Sequence, residues 1–418
     1  MNSTLSIRTL PLLTLLAIGS KNSFNTIVNM KRGLNSYMYR YYPIDITRES
    51  YYQYGSRIAI DSSNNIHIVL SGYSPASPNY AQIRYAKSID RGSTWSNPFD
   101  ITSGAYEQYD QSIAIDSSNN IHIVWSGQSS TTPNYHQIRY TKSTDRGNTW
   151  NIPVNITSEY YEQFNPSIAI DSFNNIHIVW NGYTPAYPWK LQIRYTKSID
   201  GGNTWSTPTE ITSEDYSQYV PTIGIDSSNT LHIVWEGYSP SSPNCTQIRY
   251  AKSIDGGNTW SIPTEITSEN YSHFSPSMAI DSSNNIHIVW NGYSPASPNY
   301  TQVRYAKSID RGSTWSNPTE ITSDDYGQYG PTIGIDSSNN IHIVWNGCSP
   351  ASPNYAQIRY AKSIDRGNTW NIPVNITSEY YAQYNPSIAI DSSNNIHIVW
   401  YGNSPAGPNY IQIRYAKL

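Results

Sequence analysis

Histidine recurs at positions 67, 122, 177, 232, 287, 342 and 397, one in every 55 residues. Seven imidazoles could ligate metal, but a shared ion needs its nitrogens within about 2.0–2.1 Å. One histidine per repeat keeps them apart, so mid-strand packing between neighbouring repeats is expected, without metal. Arginines 84, 139, 194, 249, 304, 359 and 414 keep the same interval and are expected to donate hydrogen bonds between repeats. Asp61 and its counterparts bring one carboxylate each, without the Asp-x-Asp-x-Asp series of a calcium loop. Nothing in this spacing calls for a cofactor. Arg57 breaks the pattern. Its counterparts are Ser112, Ser167, Thr222, Ser277, Thr332 and Ser387, so one guanidinium stands where six hydroxyls do.

Tyrosine supplies the second kind of chemistry. Loops such as 72–80 (Gly-Tyr-Ser-Pro-Ala-Ser-Pro-Asn-Tyr) and 158–163 (Ser-Glu-Tyr-Tyr-Glu-Gln) set aromatic rings among polar acceptors. Tyr73, Tyr80, Tyr160, Tyr161, Tyr293, Tyr300 and Tyr355 are the candidate ligand-binding residues. An aromatic face beside polar groups suits a sugar ring, apolar on one side and hydroxylated at its edge. The other use for such rings is packing one loop against the next.

The elements that would position these residues follow from the repeat. The run Ile-Ala-Ile-Asp-Ser-Ser-Asn-Asn-Ile-His-Ile-Val at 58–69 recurs in seven units without insertion. Within one unit, 58–61 and 66–70 read as strands about a Ser-Ser-Asn-Asn turn, 82–87 as a third and 95–102 as a fourth. Four antiparallel strands per unit make a β-propeller blade. The motif Ser-x-Asp-x-Gly-x-Thr-Trp occurs six times, with Asp90, Asp145, Asp200, Asp255, Asp310 and Asp365, whereas strands one to three occur seven times. The missing fourth strand lies at the other end, where Pro-Ile-Asp-Ile-Thr at 43–47 matches Pro-Phe-Asp-Ile-Thr at 98–102. A closed ring needs that strand to cover its last edge; a linear stack does not. The predicted fold is an all-β, seven-bladed propeller over 41–418. The six motif aspartates are read as structural, accepting backbone N–H groups in the turn, with the motif tryptophan packing into its own blade.

Composition agrees. The 418 residues include 37 Tyr, 13 Trp, 26 Pro and 24 Gly, with 13% charged, a mixture for short strands and turns. A net charge of −4 offers no broad basic field, which argues against nucleic-acid and anionic-membrane partners. Cys245 and Cys348 replace loop tyrosines in different repeats and are expected to be free thiols. Arg8, the short apolar run 10–18 and Gly19 read as a secretory signal over 1–19, with 20–40 as a flexible linker. A secreted or surface-exposed chain without a membrane span in its mature form is expected.

The six Ser-x-Asp-x-Gly-x-Thr-Trp copies resemble the Asp-box (BNR) repeats of sialidase-like β-propellers, and the resemblance covers 43–418. It implies an arginine triad for a substrate carboxylate, a Tyr–Glu nucleophile pair and an Asp acid/base, on the face away from the boxes. The first arginine of that triad belongs to an Arg-Ile-Pro motif. Here Arg57-Ile58-Ala59 stands at its place, without the proline. The other arginines off the repeat pattern, Arg40 and Arg48, lie in the same opening segment, so no catalytic set is supported. The expected function is non-catalytic, multivalent recognition of glycans or an extracellular protein. The alternative is a sialidase-like glycoside hydrolase of the exo-alpha-sialidase type.

Overall fold

The computed structural model describes residues 43–418. The expected signal segment and linker lie outside them. The described residues form seven four-stranded antiparallel sheets. In blade one the strands are Gln53–Ile60, Ile66–Ser74, Ser77–Ser88 and Phe99–Asp100, paired in that order. The Ile-His-Ile-Val-Trp run of strand two is buried at every position because blades cover both of its faces. Among the described residues, no helix is long and apolar enough to cross a membrane. Cys245 and Cys348 are free, as expected.

The seventh sheet closes the ring. Its strands Gln383–Ile390, Ile396–Ser404 and Gly407–Lys417 take Ile44–Asp45 as their fourth, with Ile44 opposite Tyr415 and Asp45 opposite Arg414. The side chains fix this register. Arg414 Nε lies 2.9 Å from Asp45 Oδ1, and Ser404 Oγ donates to Asp45 Oδ2 at 2.6 Å.

Strand one starts earlier than the pattern predicts, at Gln53 rather than Ile58. A bulge between Tyr54 and Arg57 interrupts the alternation, after which the chain pairs again with strand two. The same shift occurs in all seven blades. Strand four is shorter than predicted, because the motif tryptophan leaves the sheet. Its ring packs at the seam between its own blade and the preceding one, and its aromatic partner belongs to the preceding blade. Trp95 stands edge-on to Tyr415 of blade seven at 5.0 Å, and Trp150 to Tyr85 at 5.1 Å.

The core lies between blades. Ile58, Ile66, Ile68 and Leu70 pack with Val399, Ile413 and Tyr415 across the ring closure. The motif turn is held by hydrogen bonds to its own aspartate. Thr94 Oγ1 donates to Asp90 Oδ2 at 2.5 Å, and Asp90 Oδ1 accepts from Thr94 N at 2.8 Å and Ser88 Oγ at 2.7 Å, which together hold its carboxyl down at about 2. Gly92 has φ +90, and a Cβ there would sit 2.0 Å from the Tyr415 hydroxyl. The repeated histidines are buried and brace their own blade. His397 Nδ1 shares a 2.7 Å hydrogen bond with Tyr415 Oη, and Nε2 lies 3.2 Å from Asp391 Oδ2. That tyrosine then carries the contact to the next blade.

Candidate functional site

The bulge of strand one faces the central channel. Its residue in the left-handed region is Gly55, Asp110, Asn165, Val220, Ser275, Gly330 or Asn385, with φ between 46 and 56. Proline follows in blades three to seven, but Ser56 and Gln111 follow in blades one and two. The bulge residues of blades two to seven, with Arg57 of blade one, line a cavity of about 330 Å³ whose two charged lining side chains are Arg57 and Asp110. They form no direct ion pair. Arg57 Nη1 donates to Ser56 O at 3.1 Å. Burial lowers the Arg57 pKa against the pull of Asp110, and burial raises that of Asp110 against Arg57. The cavity holds one arginine, not three.

Around the channel mouth runs a ring of aromatics: Tyr54, Tyr109, Phe164, Tyr219, Phe274, Tyr329 and Tyr384. Strand one places each just before its bulge. At blade one this ring deepens into a crevice of about 420 Å³ lined by Tyr51, Tyr52, Tyr54, Tyr73, Asn79 and Tyr410. Tyr52 lies parallel to Tyr54 at 6.2 Å and edge-on to Tyr410 at 5.3 Å. Tyr54 meets Tyr73 at 6.4 Å and Tyr401 at 6.3 Å. Tyr52 and Tyr401 have no aromatic counterpart elsewhere: the former is replaced by Glu, Ser, Gly or Ala, the latter by Ser, Asn or Glu. The crevice is therefore built once.

Blade two adds titratable groups beside it. His136 replaces the aliphatic or hydroxyl residue of other blades, and its Nδ1 lies 3.0 Å from Glu162 Oε2. Its Nε2 is buried without a hydrogen-bond partner. The ring lies 6.3 Å from Tyr109 and 5.8 Å from Phe164. Tyr109 bonds Glu107, and burial with that carboxylate raises its pKa, so the phenol stays protonated.

Of the seven tyrosines predicted as ligand-binding, Tyr73 enters the crevice. Tyr80, Tyr300 and Tyr355 project from the same loop position in blades one, five and six, exposed by 38–45%. Tyr160 is almost wholly exposed and meets Tyr135 edge-on at 6.4 Å. Tyr161 and Tyr293 are half-buried, their carbonyls accepting from Gln137 and Arg304. The structure spreads these residues over the loop face rather than gathering them. The repeated arginines differ from expectation too: they clamp their own blade. Arg84 holds Glu49 through Nη1 and Nη2 at 2.5 and 2.9 Å, and Gln53 at 2.9 Å.

No family model matches the chain, and no curated protein matches it in sequence. Solved structures do. What they share with it is the propeller. One is a polysaccharide lyase of family PL25, an ulvan lyase bound to -[GlcA(1-4)Rha3S]-, with 13% identity over 90% of this chain and 94% of that one, at a TM-score of 0.61. Another is the alpha-L-arabinofuranosidase Arb93A of Fusarium graminearum, with 15% identity over 74% of this chain and 92% of that one, at 0.52. The NanB sialidase of Streptococcus pneumoniae aligns at 14% identity over 91% of this chain and 70% of that one, at 0.49.

Proposed function

We propose that this propeller is a non-catalytic glycan-recognition module of the Asp-box type, acting outside the cell. The observation that carries the proposal is the tyrosine crevice, an aromatic-walled cleft built once, where blades seven and one meet. Parallel and edge-on rings give flat apolar faces, while Asn79 and the phenol hydroxyls offer hydrogen bonds at the rim. Tyr80, Tyr160, Tyr161, Tyr293, Tyr300 and Tyr355 would add weaker contacts on the same face, so a long polymer gains by avidity. The named ulvan lyase and arabinofuranosidase act on saccharides, which makes glycans the first class to test. The six motif turns support the Asp-box assignment through their shared hydrogen bonding.

Titration calorimetry against neutral and acidic oligosaccharides is the test. Tyr52→Ala should weaken binding by about two- to tenfold, since one stacking contact is worth about 0.5–1.5 kcal/mol. Unchanged affinity in Tyr52→Ala would remove the crevice from the binding surface. A second reading, sialidase-like hydrolysis, is favoured by the lone Arg57 in the channel. It requires turnover of a fluorogenic sialoside that Arg57→Ser abolishes.

A further inference from the structure

Six of the seven repeated arginines hold a carboxylate from the loop before strand one of their blade. The pairs are Arg84–Glu49, Arg194–Glu159, Arg249–Glu214, Arg304–Glu269, Arg359–Asp324 and Arg414–Glu379. In blade two the acidic position is Gly104. Its φ is +121, and a Cβ built there would meet nothing nearer than Tyr106 Cδ2 at 4.0 Å, so the place of the missing side chain is open. Arg139 nevertheless keeps its siblings' pose. Nε donates to Asn155 Oδ1 at 2.9 Å, and Nη1 donates to Gln108 Oε1 at 2.9 Å and Gln128 O at 3.2 Å. Its guanidinium lies 5.5 Å over the Trp125 ring, as Arg194 lies 5.5 Å over Trp180. Among the described residues, Nη2 of Arg139 has no acceptor. The six siblings are 2–5% exposed, whereas Arg139 is open to solvent to a greater degree. Burial lowers its pKa to about 10, with no acidic neighbour to offset the loss of hydration.

We propose that blade two carries a binding site for a ligand carboxylate, which takes the place left by the missing glutamate and bridges Nη1 and Nη2 of Arg139. Resting on the glycan reading, the ligand is an acidic sugar of the uronate kind. The siblings define the geometry, because Arg194 and Arg249 take their two carboxylate oxygens at 2.6 and 2.9 Å, and 2.7 and 2.9 Å. Such forked, charge-assisted pairs select a planar two-oxygen acceptor. Ser129, Thr131 and Thr132 gather at Asn155 within 3.1–3.4 Å, which puts hydroxyl groups beside the site for a polyhydroxylated ring.

The full chain is titrated with D-glucuronate, D-glucose and acetate, and binding is read by ligand-detected NMR. Glucuronate should bind, glucose should bind at least tenfold more weakly at this site, and Arg139→Met should abolish the difference. Gln108 keeps a donor in that variant, since Trp125 Nε1 bonds its Oε1 at 2.6 Å. Arg139→Lys, with its charge but no fork, should retain weaker binding. Glu159→Gly should open the same vacancy beside Arg194 and raise the stoichiometry from one to two. Glucuronate binding unaffected by Arg139→Met, or no binding in the folded wild type, would overturn the site. Acetate binding as tightly as glucuronate would overturn the sugar assignment. Tyr52→Ala separates the two proposals: it should leave glucuronate binding at Arg139 intact even if the crevice binds nothing.

Discussion

A repeat of near-identical units turns each single departure into a chemical statement. Asn181, Asn291 and Asn346 each accept the backbone N–H of the bulge residue in the next blade at 3.1 Å. Blade four places Glu236 there instead, accepting from Ser275 N–H. Burial pushes the Glu236 carboxyl up from the usual 4.5 to about 7, against the lowering effect of that hydrogen bond. A raised folded-state pKa means the folded protein holds the proton more tightly. The stabilisation is therefore complete below about pH 4.5 and is lost as pH rises through about 7. The loss amounts to about 3 kcal/mol at 1.36 kcal/mol per pKa unit. Denaturant midpoints should fall between about pH 5 and about pH 8 in the wild type, and fall much less in Glu236→Gln. Equal falls in both proteins would show that this carboxyl does not titrate in the range. Arg57 was legible in the sequence by the same logic of departure. The aromatic at 54 and its counterparts was not, because a ring present in every unit reads as packing. Tyr52, Tyr401 and Gly104 carried the signal, as single exceptions at positions where periodicity gives no hint of proximity.

At the scale of the element, strand order and turn chemistry were open to reading because alternation and punctuation are local. Asp90, Gly92 and Thr94 form their turn from neighbours in sequence. The destination of Trp95 was not legible, since nothing local says which blade a ring leaving its sheet will meet. The structure sends it to Tyr415, and that contact sets an energetic expectation. Trp95→Ala should cost about 2 kcal/mol for a partly buried ring and its edge-on partner. A double-mutant cycle should show coupling of about 0.5–1.5 kcal/mol between Trp95→Ala and Tyr415→Leu in blade seven. The cycle with Tyr85→Leu in its own blade should show almost none. Coupling to Tyr85 instead would mean that the motif tryptophan braces its own sheet.

Over the whole molecule, stability depends on a ring with no free edge, and its ends are joined by more than one sheet contact. Ser392 N donates to Asn64 Oδ1 at 3.0 Å, and Asn64 Nδ2 donates to Ser392 Oγ at 2.9 Å, the same link that joins Asn174 and Asn229 to the blades before them. Ile44–Asp45 then supplies the outer strand of blade seven, with Ile46 and Thr47 buried behind it. Deleting residues 1–40 should leave melting unchanged, whereas deleting 1–47 should remove about 4 kcal/mol. One buried isoleucine accounts for about 1.5–3 kcal/mol of that loss. The bonds that Arg414 Nε and Ser404 Oγ lose with Asp45 account for most of the rest. The shorter protein also exposes a strand edge, so it should self-associate with rising concentration. A peptide spanning residues 41–50 should restore melting in a saturable way by adding the strand back. Glu49 stays in the truncated chain, so the Arg84 clamp is preserved and the effect belongs to the strand. A 1–47 deletion that melts with the wild type and remains monomeric, indifferent to the peptide, would mean that the ring closes through the asparagine link and the inter-blade core alone.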